Sequence, residues 1–298
     1  MKLLKATYLL FLTALLASCA VTSPKRLAAY YAGDIDSTIT DGYRPSGILT
    51  EEYYPTSVPG PSQRRMIVYL PEDYNTGNRH YPVVYMLHGA RGYETSWIRK
   101  GNILQIVDSL SLNGLVEPAI IVMPNVNQYN NDADMDKSRR KGALESLFEI
   151  DGTVESAFIN DVVRFVDSKY RTIPDKDHRA IGGLSIGGLQ SLYISANNPD
   201  IFGYMGLFSP MYKIMQKHSE FNGFYKSLKE KLTAQFAEKP QMYLIMIGKA
   251  DFFLPHIKNY HKYLTRMEYS HTFIITPGGH DWPYWKQDFI YMMEHTFK

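Results

Sequence analysis

The sequence predicts an α/β fold, one domain built on a mostly parallel central sheet with helices on both faces. Three observations predict it. Residues 82–87 (PVVYML) and 119–123 (AIIVM) are continuous apolar runs, the pattern of strands buried on both faces. From Gly47 to the C-terminus, strand-like and helix-like segments alternate, as they must when parallel strands are joined by crossover helices. With 298 residues, 45% hydrophobic and 21% charged, the chain can bury one full core without splitting.

The N-terminus is set apart from the fold. Lys2 and Lys5 precede a short apolar stretch, 6–16, and Leu16-Ala17-Ser18-Cys19 closes it with small residues. The stretch is too short to span a bilayer. It resembles a bacterial lipoprotein signal, with cleavage before Cys19 and lipid on that residue; an ordinary secretory signal is the alternative. The expectation is an exported lipoprotein, membrane-anchored through Cys19, periplasmic or at the cell surface. Cys19 is the sole cysteine, so no internal disulfide forms. Residues 1–18 are thus read as signal, 19–45 as tether and 46–298 as the folded domain.

Within the domain, 65–70 reads as a strand ended by Pro71, and Ile103, Leu104, Ile106, Val107 and Leu110 mark one helical face. A helix over 154–169 points Phe158, Val162, Phe165 and Val166 inward. A strand at 179–183 leads into a helix carrying Leu189, Leu192 and Ile194. Strands at 204–208, 242–247 and 272–275 follow, with helices at 224–236, 255–264 and from 283 onward. A net charge of +2 without any dense basic block is too small to imply nucleic acid or another polyanion, so no nucleic acid is expected as a partner.

The chemistry gathers where strands end. In Gly183-Leu184-Ser185-Ile186-Gly187-Gly188, a serine stands between a buried strand and an amphipathic helix, flanked by glycines. A sharp strand-to-helix turn lifts such a hydroxyl above the sheet and needs that lack of side chains. It also sets the Ile186 amide at a helix N-terminus, where an oxyanion would develop. A serine needs a base, and His280, in Gly278-Gly279-His280-Asp281-Trp282 after the last strand, has the best setting of the nine histidines. Asp251, after the strand at 242–247, is the carboxylate expected to orient that imidazole. Asp281 is its rival, read instead as capping the final helix. In Leu87-His88-Gly89-Ala90, the Ala90 amide is the candidate second oxyanion donor, and His88 is read as bracing the loop. No metal or cofactor is expected, since no H-E-x-x-H motif occurs.

These segments, with Val68-Tyr69-Leu70-Pro71, Ile121-Val122-Met123-Pro124, Phe158-Ile159-Asn160-Asp161-Val162 and Pro199-Asp200-Ile201-Phe202-Gly203, resemble the putative esterase (esterase D-like) family of α/β-hydrolases. The likeness runs in order from about Gly47 onward and includes carbohydrate esterase family 1 feruloyl and acetylxylan esterases. It implies an α/β-hydrolase fold and metal-free ester hydrolysis by Ser185, His280 and Asp251, often on acylated plant polysaccharide. Siderophore esters remain an alternative substrate, and a non-catalytic polysaccharide-binding lipoprotein the alternative function. Trp97, Trp282 and Trp285 are candidate substrate-binding residues, as an aromatic slot or as braces for the loops. The polar segment 125–147 has the length of a binding lid.

Overall fold

The computed structural model describes residues 44–59, 61–127, 150–211 and 223–298. The stretch read as a signal, Cys19 and the expected tether up to residue 43 lie outside the described residues, as does the candidate lid segment from residue 128 on. Among the described residues eight strands make one sheet in the order β1-β2-β4-β3-β5-β6-β7-β8. They are β1 (Ile48–Pro55), β2 (Gln63–Leu70), β3 (Val83–Leu87), β4 (Ile120–Pro124), β5 (Arg179–Leu184), β6 (Tyr204–Phe208), β7 (Met242–Gly248) and β8 (Thr272–Thr276). From β4 across to β8 every pairing is parallel, whereas β1 and β2 run antiparallel. This is the α/β-hydrolase fold that the sequence predicts. β1 was not among the predicted strands; its half-exposed positions carry no continuous apolar run, because it is an edge.

Alternation along the strands sorts the core into two layers. Val83, Tyr85, Leu87, Ile181, Met205, Leu207, Ile245 and Ile247 face one side. There they meet α3 (Thr153–Phe158), α4 (Arg164–Lys169), α5 (Ile186–Asn197), α6 (Leu228–Ala237) and α7 (Leu254–Arg266) through residues such as Phe158, Leu189, Leu192, Leu232 and Ile257. Val84, Met86, Ile121, Leu244 and Met246 face the other side, against Trp97 of α1 (Ser96–Arg99), α2 (Ile103–Leu112) and α8 (Trp282–Glu294). Each such aliphatic side chain removed from water contributes about 1.5–3 kcal/mol, which holds the strand ends rigid enough to aim side chains.

Two helices differ from expectation. The stretch predicted as one helix over 154–169 carries a π turn, Ile159–Val163, between α3 and α4, and both Val162 and Val163 are buried there. The helix predicted over 224–236 is a 3-10 turn (Gly223–Tyr225) and then α6, separated by Ser227 at φ 55°. A left-handed residue cannot continue a right-handed helix.

Candidate active site

Ser185 closes β5 and opens α5 in a backbone state that serine rarely adopts, φ 55° and ψ −114°. The surroundings hold it there. Its amide donates to Phe208 O at 2.9 Å, and its carbonyl accepts from Leu189 N and Met211 N at 3.1 and 3.0 Å. Room for the turn comes from the flanking glycines. A Cβ on Gly187 would sit 2.4 Å from His88 O, and one on Gly183 would sit 2.6 Å from Gly187 O. Both obstacles are backbone and cannot swing aside. Gly187→Ala is therefore expected to destabilise the protein by about 1–3 kcal/mol, the range for forcing atoms into a packed site. Thermal unfolding would check it, and an unchanged Tm would refute the close approach.

His280 sits on the loop between β8 and α8, and Asp251 on the loop after β7. The two loops are tied along their backbones. Lys249 N donates to Thr276 O and Ala250 N to Gly278 O, each at 2.7 Å. This clamp is why side chains 29 residues apart meet in fixed register: His280 Nδ1 lies 2.8 Å from Asp251 Oδ2. The other ring nitrogen, Nε2, lies 2.9 Å from Ser185 Oγ. Asp251 Oδ1 accepts from Phe253 N at 2.8 Å. Burial pushes the Asp251 carboxyl upward, but the bonds from His280 and the Phe253 amide outweigh it and hold the group below the ordinary value. An ionised Asp251 accepts only, so Nδ1 carries the ring proton and Nε2 is left to accept from the Ser185 hydroxyl.

Asp281 takes no part in this relay. It stands at the N-cap position of α8, as predicted from sequence, but its side chain makes no capping bond. Behind the relay is a carboxyl that sequence reasoning missed, Asp288 of α8, which is buried. Burial and the nearby Asp251 charge hold it well above the usual carboxylate range. Both causes favour its neutral form over a second carboxylate charge beside Asp251.

The loop after β3 is braced by His88. Val126 N donates to His88 Nε2 at 3.2 Å, which leaves the proton on Nδ1, 2.9 Å from Gly89 O. Burial pushes this imidazole down to about 4, so it stays neutral. Gly92 N also donates to Gly89 O, at 3.0 Å. Because the peptide is planar and trans, a Gly89 carbonyl held by two donors turns the Ala90 N–H the opposite way. A Cβ on Gly89 would stand 3.4 Å from Ser185 Cβ, so this peptide borders the nucleophile, and Ala90 is exposed. Ile186 follows Ser185 as the first residue of α5.

Of the two roles open to the tryptophans, slot or brace, the packing favours the brace for Trp97 and Trp285. Trp97 is 1% exposed, donates from Nε1 to Leu87 O at 3.1 Å and packs against Phe208, Trp282 and Phe289. It supports the end of β3 from within the core and has no surface to offer a substrate. Trp285 is buried too, its ring edge-on to His280 at 4.9 Å, and so braces the imidazole. Trp282 is half-buried between these two. The aromatic side chains that sequence reasoning missed are Phe252 and Phe253, packed on His280 with centroids 4.7 and 5.4 Å away. The available signal was a Phe pair directly after Asp251.

The family model described as putative esterase matches residues 59–296. An endo-1,4-beta-xylanase/feruloyl esterase of Xylanibacter ruminicola is 34% identical over 146 residues, 48% of this chain and 19% of that protein. Endo-1,4-beta-xylanase Y of Acetivibrio thermocellus is 29% identical over 177 residues, 56% of this chain and 14% of its own. The chain thus spans less than a fifth of the length of either relative. Among solved structures, a ferulic acid esterase from Anaeromyces mucronatus in complex with ferulic acid superposes with a TM-score of 0.67 at 25% identity, covering 89% of this chain and 96% of that one. An S-formylglutathione hydrolase from Staphylococcus aureus shares the fold, with a TM-score of 0.61 at 23% identity over 83% of this chain and 97% of that one.

Proposed function

Since the chain belongs to the putative esterase family over most of its length, we propose that it is a serine carboxylic-ester hydrolase that removes feruloyl or acetyl groups from xylan-type side chains. One observation carries the reading: the unbroken line from Asp251 Oδ2 through both nitrogens of His280 to Ser185 Oγ, with steps of 2.8 and 2.9 Å. Such a line can do one thing that isolated hydroxyls cannot, which is to take a proton from serine as its oxygen attacks a carbonyl.

The reaction runs in two halves. Ser185 Oγ adds to the ester carbonyl carbon while its proton passes to His280 Nε2. The negative oxygen so formed accepts from the Ile186 and Ala90 amides, each donor of this kind being worth about 10²–10³ in turnover. His280 then gives its proton to the alcohol oxygen as the carbon–oxygen bond breaks, leaving the acyl group on Ser185. Water loses a proton to His280, attacks the acyl carbon and releases the carboxylic acid, and Ser185 recovers its hydroxyl. Asp251 stays ionised throughout and stabilises the transient imidazolium.

The substrate class rests on the named relatives, a xylanase/feruloyl esterase and a ferulic acid esterase holding ferulic acid. The test is release of acids from arabinoxylan by the purified protein, followed by chromatography. Free ferulate is the expected product. Acetate alone would move the assignment to acetyl groups. Neither acid, from protein that still cleaves an aryl acetate, would overturn the xylan reading in favour of another small ester, such as a siderophore.

The same reading has the protein exported and held at a membrane by lipid on Cys19, in the periplasm or at the cell surface. Its support is the short apolar stretch 6–16 ending in small residues before Cys19. No helix among the described residues is long and apolar enough to cross a membrane.

A further inference from the structure

Phe252 is a large apolar ring left 65% exposed beside the base. An isolated exposed apolar residue is ordinary, but this one is held in place rather than dangling. Its ring packs on Phe253 at 4.4 Å and on His280 at 4.7 Å, tilted 44° to the imidazole. The backbone beneath it is pinned at each step. Asp251 N donates to Gly248 O, Phe253 N to Asp251 Oδ1 and Leu254 N to Asp251 O, at 3.1, 2.8 and 3.1 Å. Phe253 is buried by the same turn. The turn therefore presents one phenylalanine to solvent and buries the next, forgoing most of the free energy that burying a second ring would give.

The chemistry says which part of a substrate lies there. When Ser185 Oγ bonds to the acyl carbon, the carbonyl oxygen must lie at the Ile186 and Ala90 amides. His280 Nε2, 2.9 Å from Ser185 Oγ, must also reach the departing oxygen to protonate it. The alcohol half of the ester is consequently the half beside the imidazole, and Phe252 is the exposed ring packed on that imidazole. In a xylan-type ester the alcohol is a sugar. A sugar ring carries one face of C–H groups, which suits stacking on an aromatic face, while its hydroxyls stay in water.

We infer that Phe252 is a platform on which the sugar of the leaving alcohol stacks, making it a specificity residue for glycosyl esters over simple alkyl esters. This deepens the esterase reading and rests on it. Binding energy gathered on the sugar, away from the reacting carbon, is available to hold the ester in its attack geometry.

The experiment compares two feruloyl esters that differ only in the alcohol, methyl ferulate and a feruloyl arabinofuranoside. Phe252→Ala is expected to lower the ratio of kcat/KM for the sugar ester over the methyl ester by about five- to tenfold. Phe252→Leu, which keeps an apolar cover on His280 but no aromatic face, is expected to lower it similarly, and Phe252→Trp to preserve it. An unchanged ratio in the Ala or Leu variant would overturn the platform. So would a loss shared equally by both esters, which would mark a disturbed His280. A change confined to a pair differing in the acyl group, methyl ferulate against methyl acetate, would put the ring on the acyl side and overturn it as well. If the wild-type protein cleaves neither feruloyl ester, the feruloyl reading fails by itself. The same alcohol ratio is then measured with methyl acetate and an acetylated xyloside.

Discussion

Ser185→Ala is expected to lower kcat for an activated aryl acetate by about a million-fold, the scale seen when the nucleophile of a relay is removed. The size follows from what the hydroxyl supplies. Without Oγ no acyl-enzyme forms, and His280 has no proton to receive. With the proposed oxyanion donors, the Ile186 and Ala90 amides, untouched by the substitution, a residual rate about 10³–10⁴ above water is expected to survive. The fold should not suffer. The turn is held by the Phe208, Leu189 and Met211 backbone bonds and by the glycine contacts, none of which involves the side chain. Loss of the bond to His280 removes one partly buried contact. The measurement pairs initial rates with thermal unfolding of the same sample. A folded alanine variant with undiminished turnover would end the serine mechanism.

How far the sequence revealed this site depends on what each residue's role requires. Ser185, Asp251 and His280 could be named because each must follow a strand, and buried parallel strands announce themselves as apolar runs. The glycines at 183 and 187 were legible for a similar reason, since the close approach of β5, α5 and the loop after β3 leaves no space for side chains. Trp97 was not legible. An indole that supports β3 from the core and one that lines a cleft have the same local sequence, and only the packing against Phe208 and Phe289 separates them. β1 escaped because an edge strand need not be apolar, and the break at Ser227 because serine bears no mark of a left-handed backbone. Asp288 and Phe252 escaped because their settings come from elements distant in sequence: α8 lying behind Asp251, and the His280 loop meeting the Asp251 loop.

Asp251→Asn is expected to cost about 10⁴-fold in kcat with little change in KM, because it reverses the proton on His280. Asp251 accepts from Phe253 N through Oδ1 and from His280 Nδ1 through Oδ2. Asparagine has one accepting oxygen. If that oxygen keeps the Phe253 amide, its NH₂ faces His280 and makes Nδ1 the acceptor. The ring proton then moves to Nε2, which can no longer take one from Ser185. The substitution also carries a stability signature. A carboxyl held below its ordinary value stabilises the folded state fully above the unfolded-state pKa and loses that contribution as pH falls through the lowered folded value. Wild-type protein should thus lose stability relative to Asp251→Asn on acidification through the carboxylate range, as followed by denaturant unfolding at several pH values. Asp281→Asn is the control. Its side chain caps nothing and lies outside the relay, so its rate should stay within a few-fold of wild type. A severe loss in Asp281→Asn with a mild one in Asp251→Asn would transfer the orienting role to the neighbouring carboxylate, and the clamp between the two loops would lose its catalytic meaning.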